Sequence, residues 1–81
     1  MVVITYDISD EKRLQKVAKY LEGEGIRVQR SVFELYMSVR SANKIFNGIK
    51  SLIDKNEDKI FMFSFKDKED VIGKTSIERI F

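Results

Sequence analysis

The chain predicts an α+β fold, and three observations carry that expectation. Val2-Val3-Ile4-Thr5-Tyr6 is an apolar run of strand formers at the start. Two later segments place apolar residues at helical spacing. Between and after those segments lie stretches that alternate with the period of a strand. The opening run ends at Asp7, and Ser9-Asp10-Glu11 then signals the start of a helix. Leu14, Val17, Ala18 and Leu21 form one apolar stripe on that helix, expected from about Asp10 to Glu22, with Gly23 and Gly25 stopping it. In the second helix Ala42, Ile45, Phe46, Ile49, Leu52 and Ile53 keep the spacing for three turns, with Ser41 as the expected N-cap. Both helices are one-sided, so both should lie on a sheet.

From Ile26 to about Val39 the residues favour strand, but the alternation slips. Ile26, Val28 and Val32 share one parity, whereas Phe33, Leu35, Met37 and Val39 share the other. A slip of one residue exchanges the faces of a strand, so a hairpin or a strong kink is expected near Ser31 to Glu34. Ile60 to Phe65 is apolar on nearly both sides and reads as a central strand. Phe61, Phe63 and Phe65 are expected to pack in the core under the helices, the alternative being that they stack on bases. The order strand, helix, two strands, helix, strand is the split βαβ, ferredoxin-like sandwich. Asp70 to Phe81 then reads as an additional C-terminal strand, with a break at Gly73. Its apolar residues would be buried by pairing either with a second copy or within the same chain.

The chain has 81 residues, enough for a single domain over 1–81 whose own core is small, so pairing with a second copy would help it. It contains no cysteine and no histidine. Disulfides, thiolate metal sites and Ser-His or Cys-His nucleophiles are therefore excluded. Any catalysis falls to carboxylates, Lys, Tyr, Arg or Ser, and oxygen donors suit Mg²⁺ or Mn²⁺. Apolar stretches are too short for a membrane helix and Met1 leads straight into a strand, so no membrane association and a cytoplasmic location are expected. A net charge of +2 permits nucleic-acid binding without announcing it.

Asp7 is the leading functional candidate, since strand ends are rigid places that favour ligand sites. An Asp there can also simply close the strand through the following turn. Tyr6, one residue earlier, should face the core with a solvated hydroxyl, the alternative being that it orients a water or a phosphate. Arg13 lies on the polar side of the first helix, open to solvent. Arg30 stands among strand residues, where its charge needs a carboxylate or phosphate partner. Ser31 can bond a phosphate or neighbouring backbone, and Phe33 suits the core or a dimer interface. Lys12, Lys16 and Lys19 read as a solvated helix face that could touch a phosphate backbone.

Tyr6-Asp7-Ile8-Ser9, then Arg13, then Gly25-Ile26-Arg27-Val28-Gln29-Arg30-Ser31-Val32-Phe33-Glu34 resembles the second CRISPR-associated adaptation protein, the small ferredoxin-like partner of the CRISPR integrase. The resemblance extends over essentially the whole chain. It implies a homodimer with facing sheets and a C-terminal strand crossing to the partner, bridging integrase dimers that insert new spacers. It implies that Asp7 is the metal-binding acid of a Mg²⁺-dependent endonuclease for single-stranded RNA or duplex DNA. It also implies that Arg13 and Arg30 bear on nucleic acid or the dimer, with Ser31 and Phe33 beside the acid. Two carboxylates brought together across a two-fold axis repel each other, which favours a divalent cation between them. The alternatives are a non-catalytic structural adaptor of the integrase complex, or a toxin-like ribonuclease resembling virulence-associated protein D, which shares the fold and a similar Asp and Gln-x-Ser-Val-aromatic pattern.

Overall fold

The computed structural model describes residues 1–65 and 75–81, so residues 70–74 of the expected C-terminal strand, with the break at Gly73, lie outside the described residues. The elements run β1 (Val2–Asp7), α1 (Glu11–Glu22), β2 (Ile26–Gln29), β3 (Val32–Leu35), α2 (Val39–Lys50), β4 (Lys59–Phe65) and β5 (Thr75–Ile80). The strands form one antiparallel sheet in the order β2-β3-β1-β4-β5. This is the ferredoxin-like arrangement with an added C-terminal strand.

Parity places the core. Val2, Ile4 and Tyr6 of β1, Phe33 and Leu35 of β3, and Ile60 and Met62 of β4 are buried against Val17 and Leu21 of α1 and Ala42, Ile45, Phe46 and Ile49 of α2. Among the described residues the opposite face of the sheet carries no helix. In-register pairing of Val3 with Phe63 and Thr5 with Phe61 puts these phenylalanines on that open face, in line with Asp7. The expectation that Phe61, Phe63 and Phe65 pack under the helices is therefore corrected. Since β4 is apolar on both sides, its hydrophobicity cannot choose a face, and the register with β1 makes the choice.

α1 begins as the sequence suggests: Asp10 caps it by accepting from the Arg13 backbone N–H at 3.0 Å. At its other end a Cβ on Gly25 would lie 2.5 Å from the Glu34 carbonyl oxygen and against Leu35 Cδ2, so the close approach of β2 to β3 requires glycine there. α2 starts three residues earlier than expected. Ser38 is the cap, accepting from the Ser41 N–H at 3.2 Å, and Val39 opens the helix rather than closing a strand. Both serines are capable caps, and the earlier one lets Ala42 face inward in the first turn. Leu52 and Ile53 follow the helix and pack on the core from the loop.

The β2–β3 hairpin turns at Arg30-Ser31, at the leading edge of the expected break, and the register shifts between Arg27 and Gln29. Its two turn residues are neither Gly nor Asn, and hydrogen bonds to the Arg30 carbonyl hold it instead. Arg27 donates through Nε at 3.1 Å and Nη2 at 2.7 Å, and Tyr6 through its hydroxyl at 3.4 Å. At the far edge, β5 pairs with β4 of the same chain, and Phe81 exchanges backbone hydrogen bonds of 2.9 Å with Ile60. Arg79 locks β5 to α2: its guanidinium stacks 4.3 Å over the Phe46 ring and Nη1 donates to Asn43 and Asn47. Among the described residues no helix is long and apolar enough to cross a membrane.

Candidate functional site

Asp7 is the last residue of β1 and is exposed, on the helix-free side of the sheet. Lys59, the first residue of β4, stands opposite it in register. Ion pairs among the described residues join Arg13 to Glu57, Arg13 to Asp58 and Arg27 to Glu22, and the Asp7 carboxylate takes part in none of them. No hydrogen bond among the described residues engages that carboxylate either. On the same face Thr5 stands next to Asp7 between Val32 and Phe61, Val3 follows between Glu34 and Phe63, and Phe65 lies beyond them at the far end of β4; these side chains are only partly covered, and Phe61 and Phe63 stack with centroids 6.4 Å apart. Ile26 and Ile80 extend this surface at opposite edges of the sheet, each 57% exposed.

Tyr6 faces inward as its parity requires. Its ring stacks on Phe33 with centroids 6.3 Å apart, and its hydroxyl reaches the Arg30 carbonyl. Burial raises the phenol above its ordinary value, opposed by the nearby Arg27 guanidinium, so it is a neutral donor at physiological pH. Phe33 is fully buried, with Arg27 stacked 5.5 Å from its centroid. Ser31 gives its carbonyl to the Tyr6 backbone N–H at 3.2 Å. These contacts tie the hairpin turn to the strand that carries Asp7.

Both arginines differ from expectation. Arg30 is not inside a strand. It sits in the hairpin turn with an exposed side chain and belongs to no ion pair among the described residues, because the one-residue slip of parity falls on the turn itself. Arg13 is not a free surface cation. Its side chain is only 25% exposed and its Nε donates to Asp58 at 2.8 Å, while Nη2 reaches Glu57 and Ser9 Oγ. Hydrogen bonding to Asp58 raises the guanidinium above its ordinary value, so it stays charged.

Asp58 is not singled out by the sequence alone. It is fully buried, yet its carboxylate accepts from the Ser9 N–H and Oγ–H, Arg13 Nε and Nη2, and the Asp54 N–H. The Arg13 hydrogen bond, aided by the Asp54 and Ser9 amides, holds its carboxyl down at about 2 against the opposing effect of burial. In sequence Asp58 is one acid in the polar run Asn56-Glu57-Asp58-Lys59, and only the contact with α1 distinguishes it from its neighbours.

Fold and site together define a small ferredoxin-like α+β protein that offers a strand-end carboxylate on the open face of its sheet. Residues 1–71 match the family described as CRISPR associated protein Cas2, and the chain belongs to that family. A CRISPR-associated endoribonuclease Cas2 of Chloroflexus aurantiacus is 43% identical over 58 residues, which is 72% of this chain and 62% of that protein. A CRISPR-associated endonuclease Cas2 of Halalkalibacterium halodurans is 36% identical over 88 residues, covering 96% of this chain and 92% of that one. Among solved structures, Cas2 of Streptococcus pyogenes at pH 6.5 superposes with a TM-score of 0.71 at 34% identity, over 85% of this chain and 88% of that chain. A hypothetical protein from Thermus thermophilus gives a TM-score of 0.76 at 31% identity, over 93% and 92% of the two chains.

Proposed function

We propose that this Cas2-family protein is a Mg²⁺-dependent endonuclease for single-stranded RNA and/or duplex DNA, acting as a homodimer that bridges CRISPR integrase dimers during spacer acquisition in antiviral defence. The observation that carries the proposal is the exposed Asp7 carboxylate, in no ion pair among the described residues, at the end of a sheet face that bears Val3, Phe61 and Phe63. Two copies packed through this face would cover Val3, Phe61, Phe63 and Phe65 and bring their Asp7 residues towards one another. The endoribonuclease and endonuclease names of the relatives support a phosphodiester substrate.

The donor set fits a hard divalent cation. Mg²⁺ is ordinarily held by one or two carboxylates, with water and phosphate oxygens completing its shell, and Mn²⁺ accepts the same donors. Asp7 from each of two copies would hold it. When bound, such an ion supplies charge neutralisation on the phosphate and an activated water. The chain's own groups do the remainder: the β1–β4 ladder fixes the direction of Asp7, and Lys59, its cross-strand neighbour, offers a cation to an approaching phosphate. Tyr6, from the core side, secures the hairpin turn beside them.

One observation favours a second reading, that of a non-catalytic adaptor. Among the described residues no group of three or more acidic side chains is placed to hold a metal ion. The test is cleavage of labelled single-stranded RNA and duplex DNA by wild-type and Asp7→Asn protein of confirmed oligomeric state, with Mg²⁺, Mn²⁺ or EDTA. Metal-dependent cleavage that disappears with Asp7 upholds the nuclease. Absence of cleavage by the wild type, with spacer integration intact in Asp7→Asn, selects the adaptor.

A further inference from the structure

Asp58 joins two stretches that are far apart in sequence, residues 9–13 and its own loop at 54–58. Its carboxylate receives the Ser9 N–H at 3.1 Å from the β1–α1 turn, Arg13 Nε at 2.8 Å from the first turns of α1, and the Asp54 N–H at 2.9 Å from the loop before β4. Ser9 is two residues after Asp7. Lys59, which follows Asp58, is the residue paired with Asp7 across the ladder. The same buried carboxylate therefore holds the chain just after Asp7 and the chain just before the partner of Asp7.

From this geometry we infer that Arg13 and Asp58 are positioning residues for Asp7: the buried pair clamps the β1–α1 turn to the start of β4 and so fixes where the Asp7 carboxylate points. A strand end is where a ladder frays, because neither neighbour is held beyond it. Asp7 and Lys59 form the last rung of the β1–β4 ladder, and the clamp lies immediately beyond that rung. A ligand group is useful only when its supporting contacts hold it within a fraction of an ångström of the productive arrangement. This gives Arg13 a role without contact to nucleic acid, in keeping with its occupied, three-quarters covered side chain.

The chemistry of the pair makes it easy to break selectively. All five groups directed at Asp58 are donors. An amide at this position must turn its NH₂ either towards Ser9 or towards Arg13 Nε and Asp54, so Asp58→Asn opposes donor to donor in both orientations. Arg13→Gln removes the fork, and Arg13→Lys restores the charge with a single donor head. Glu57→Gln alters only the exposed contact of Arg13 and serves as the control.

The metal-affinity part of this inference rests on the proposed function, and the experiment separates the two. Amide hydrogen exchange at Asp7, Ser9 and Lys59 is followed by NMR in wild type and the four variants under conditions where each is folded. Mn²⁺ is then titrated while paramagnetic broadening at Asp7 is read. Exchange at these amides is expected to rise about tenfold or more in Asp58→Asn and Arg13→Gln, with partial recovery in Arg13→Lys and none of the effect in Glu57→Gln. The Mn²⁺ midpoint is expected to weaken roughly 10- to 100-fold in step, the range found when partners of metal-holding side chains are removed. Unchanged exchange at Asp7 and Lys59 overturns the clamp whatever the metal does. Faster exchange with an unshifted Mn²⁺ midpoint overturns its role in positioning the ligand. If the wild type shows no broadening at Asp7, the metal reading fails, while faster exchange in the variants still upholds the clamp. Should Asp58→Asn not fold, the Arg13 pair of variants decides by the same criteria.

Discussion

Replacing Asp58 by Asn should weaken the fold by an amount that depends on pH in a calculable way. Asp58 is fully buried, and its carboxyl titrates at about 2 rather than at its ordinary 3.8. Since the folded-state value is depressed, the carboxylate contributes stability that is fully present above the ordinary value and is lost as pH falls through about 2. That displacement corresponds to about 2 kcal/mol at neutral pH. Asn also leaves donors facing donors in a buried place, so the total loss near neutrality should reach about 3–5 kcal/mol, as when one partner of a buried pair is removed. Urea unfolding of both proteins at one fixed concentration, from about pH 7 down to about pH 2, gives the difference directly. The gap between wild type and Asp58→Asn should be constant at the upper end and narrow by about 2 kcal/mol below the ordinary carboxyl range. A gap that stays constant down to the acid limit would refute the argument that the Arg13 pair and the Ser9 and Asp54 amides stabilise the ionised carboxyl.

Two further outcomes test the frame around the site. Phe63→Asp places a charge in the middle of the open sheet face without touching the helix-covered core, so sedimentation should show monomer in place of dimer while the circular dichroism is retained; an unchanged dimer would show that another surface pairs. Gly25→Ala drives a Cβ to 2.5 Å from the Glu34 carbonyl oxygen, which is backbone and cannot swing aside, so it should cost about 1–3 kcal/mol in thermal or urea unfolding, and a neutral effect would contradict the close approach of β2 to β3.

Much of this architecture is legible in the sequence because local signals agree with the global arrangement. The stripe Leu14, Val17, Ala18 and Leu21 gives α1 almost to the residue, and the β-branched opening run gives β1 with Asp7 at its end. The inward Tyr6 follows from parity alone. Ambiguity enters where two residues carry equal local signals. Ser38 and Ser41 are both competent caps, and the choice depends on which registers Ala42 against the sheet. β4 offers two apolar faces, so Phe61 and Phe63 could be placed only once their pairing with Thr5 and Val3 was fixed. Arg30 looked like a strand residue because no Gly or Asn marks the turn, which is stabilised instead by Arg27 and Tyr6.

The candidate site divides the same way. Asp7 announces itself by where it stands, but the pair that holds its surroundings does not. Arg13 is marked only by the family resemblance, and Asp58, 45 residues away in the chain, by no local motif. A buried carboxylate that ties its own loop to residues 9–13 is a property of the folded topology, and helical periodicity reports only that Arg13 lies outside the apolar stripe.

The central claim, that one Asp7 carboxylate from each of two copies makes the metal site, is tested most directly by mixed dimers. Wild-type and Asp7→Asn chains are combined in equal amounts, allowed to exchange subunits, and assayed for Mg²⁺-dependent cleavage at constant total protein. If both carboxylates are required, only dimers with two wild-type chains are active, and the rate should fall to about one quarter of the pure wild type. A rate of about one half would mean that each chain cuts alone, contradicting a site shared between copies.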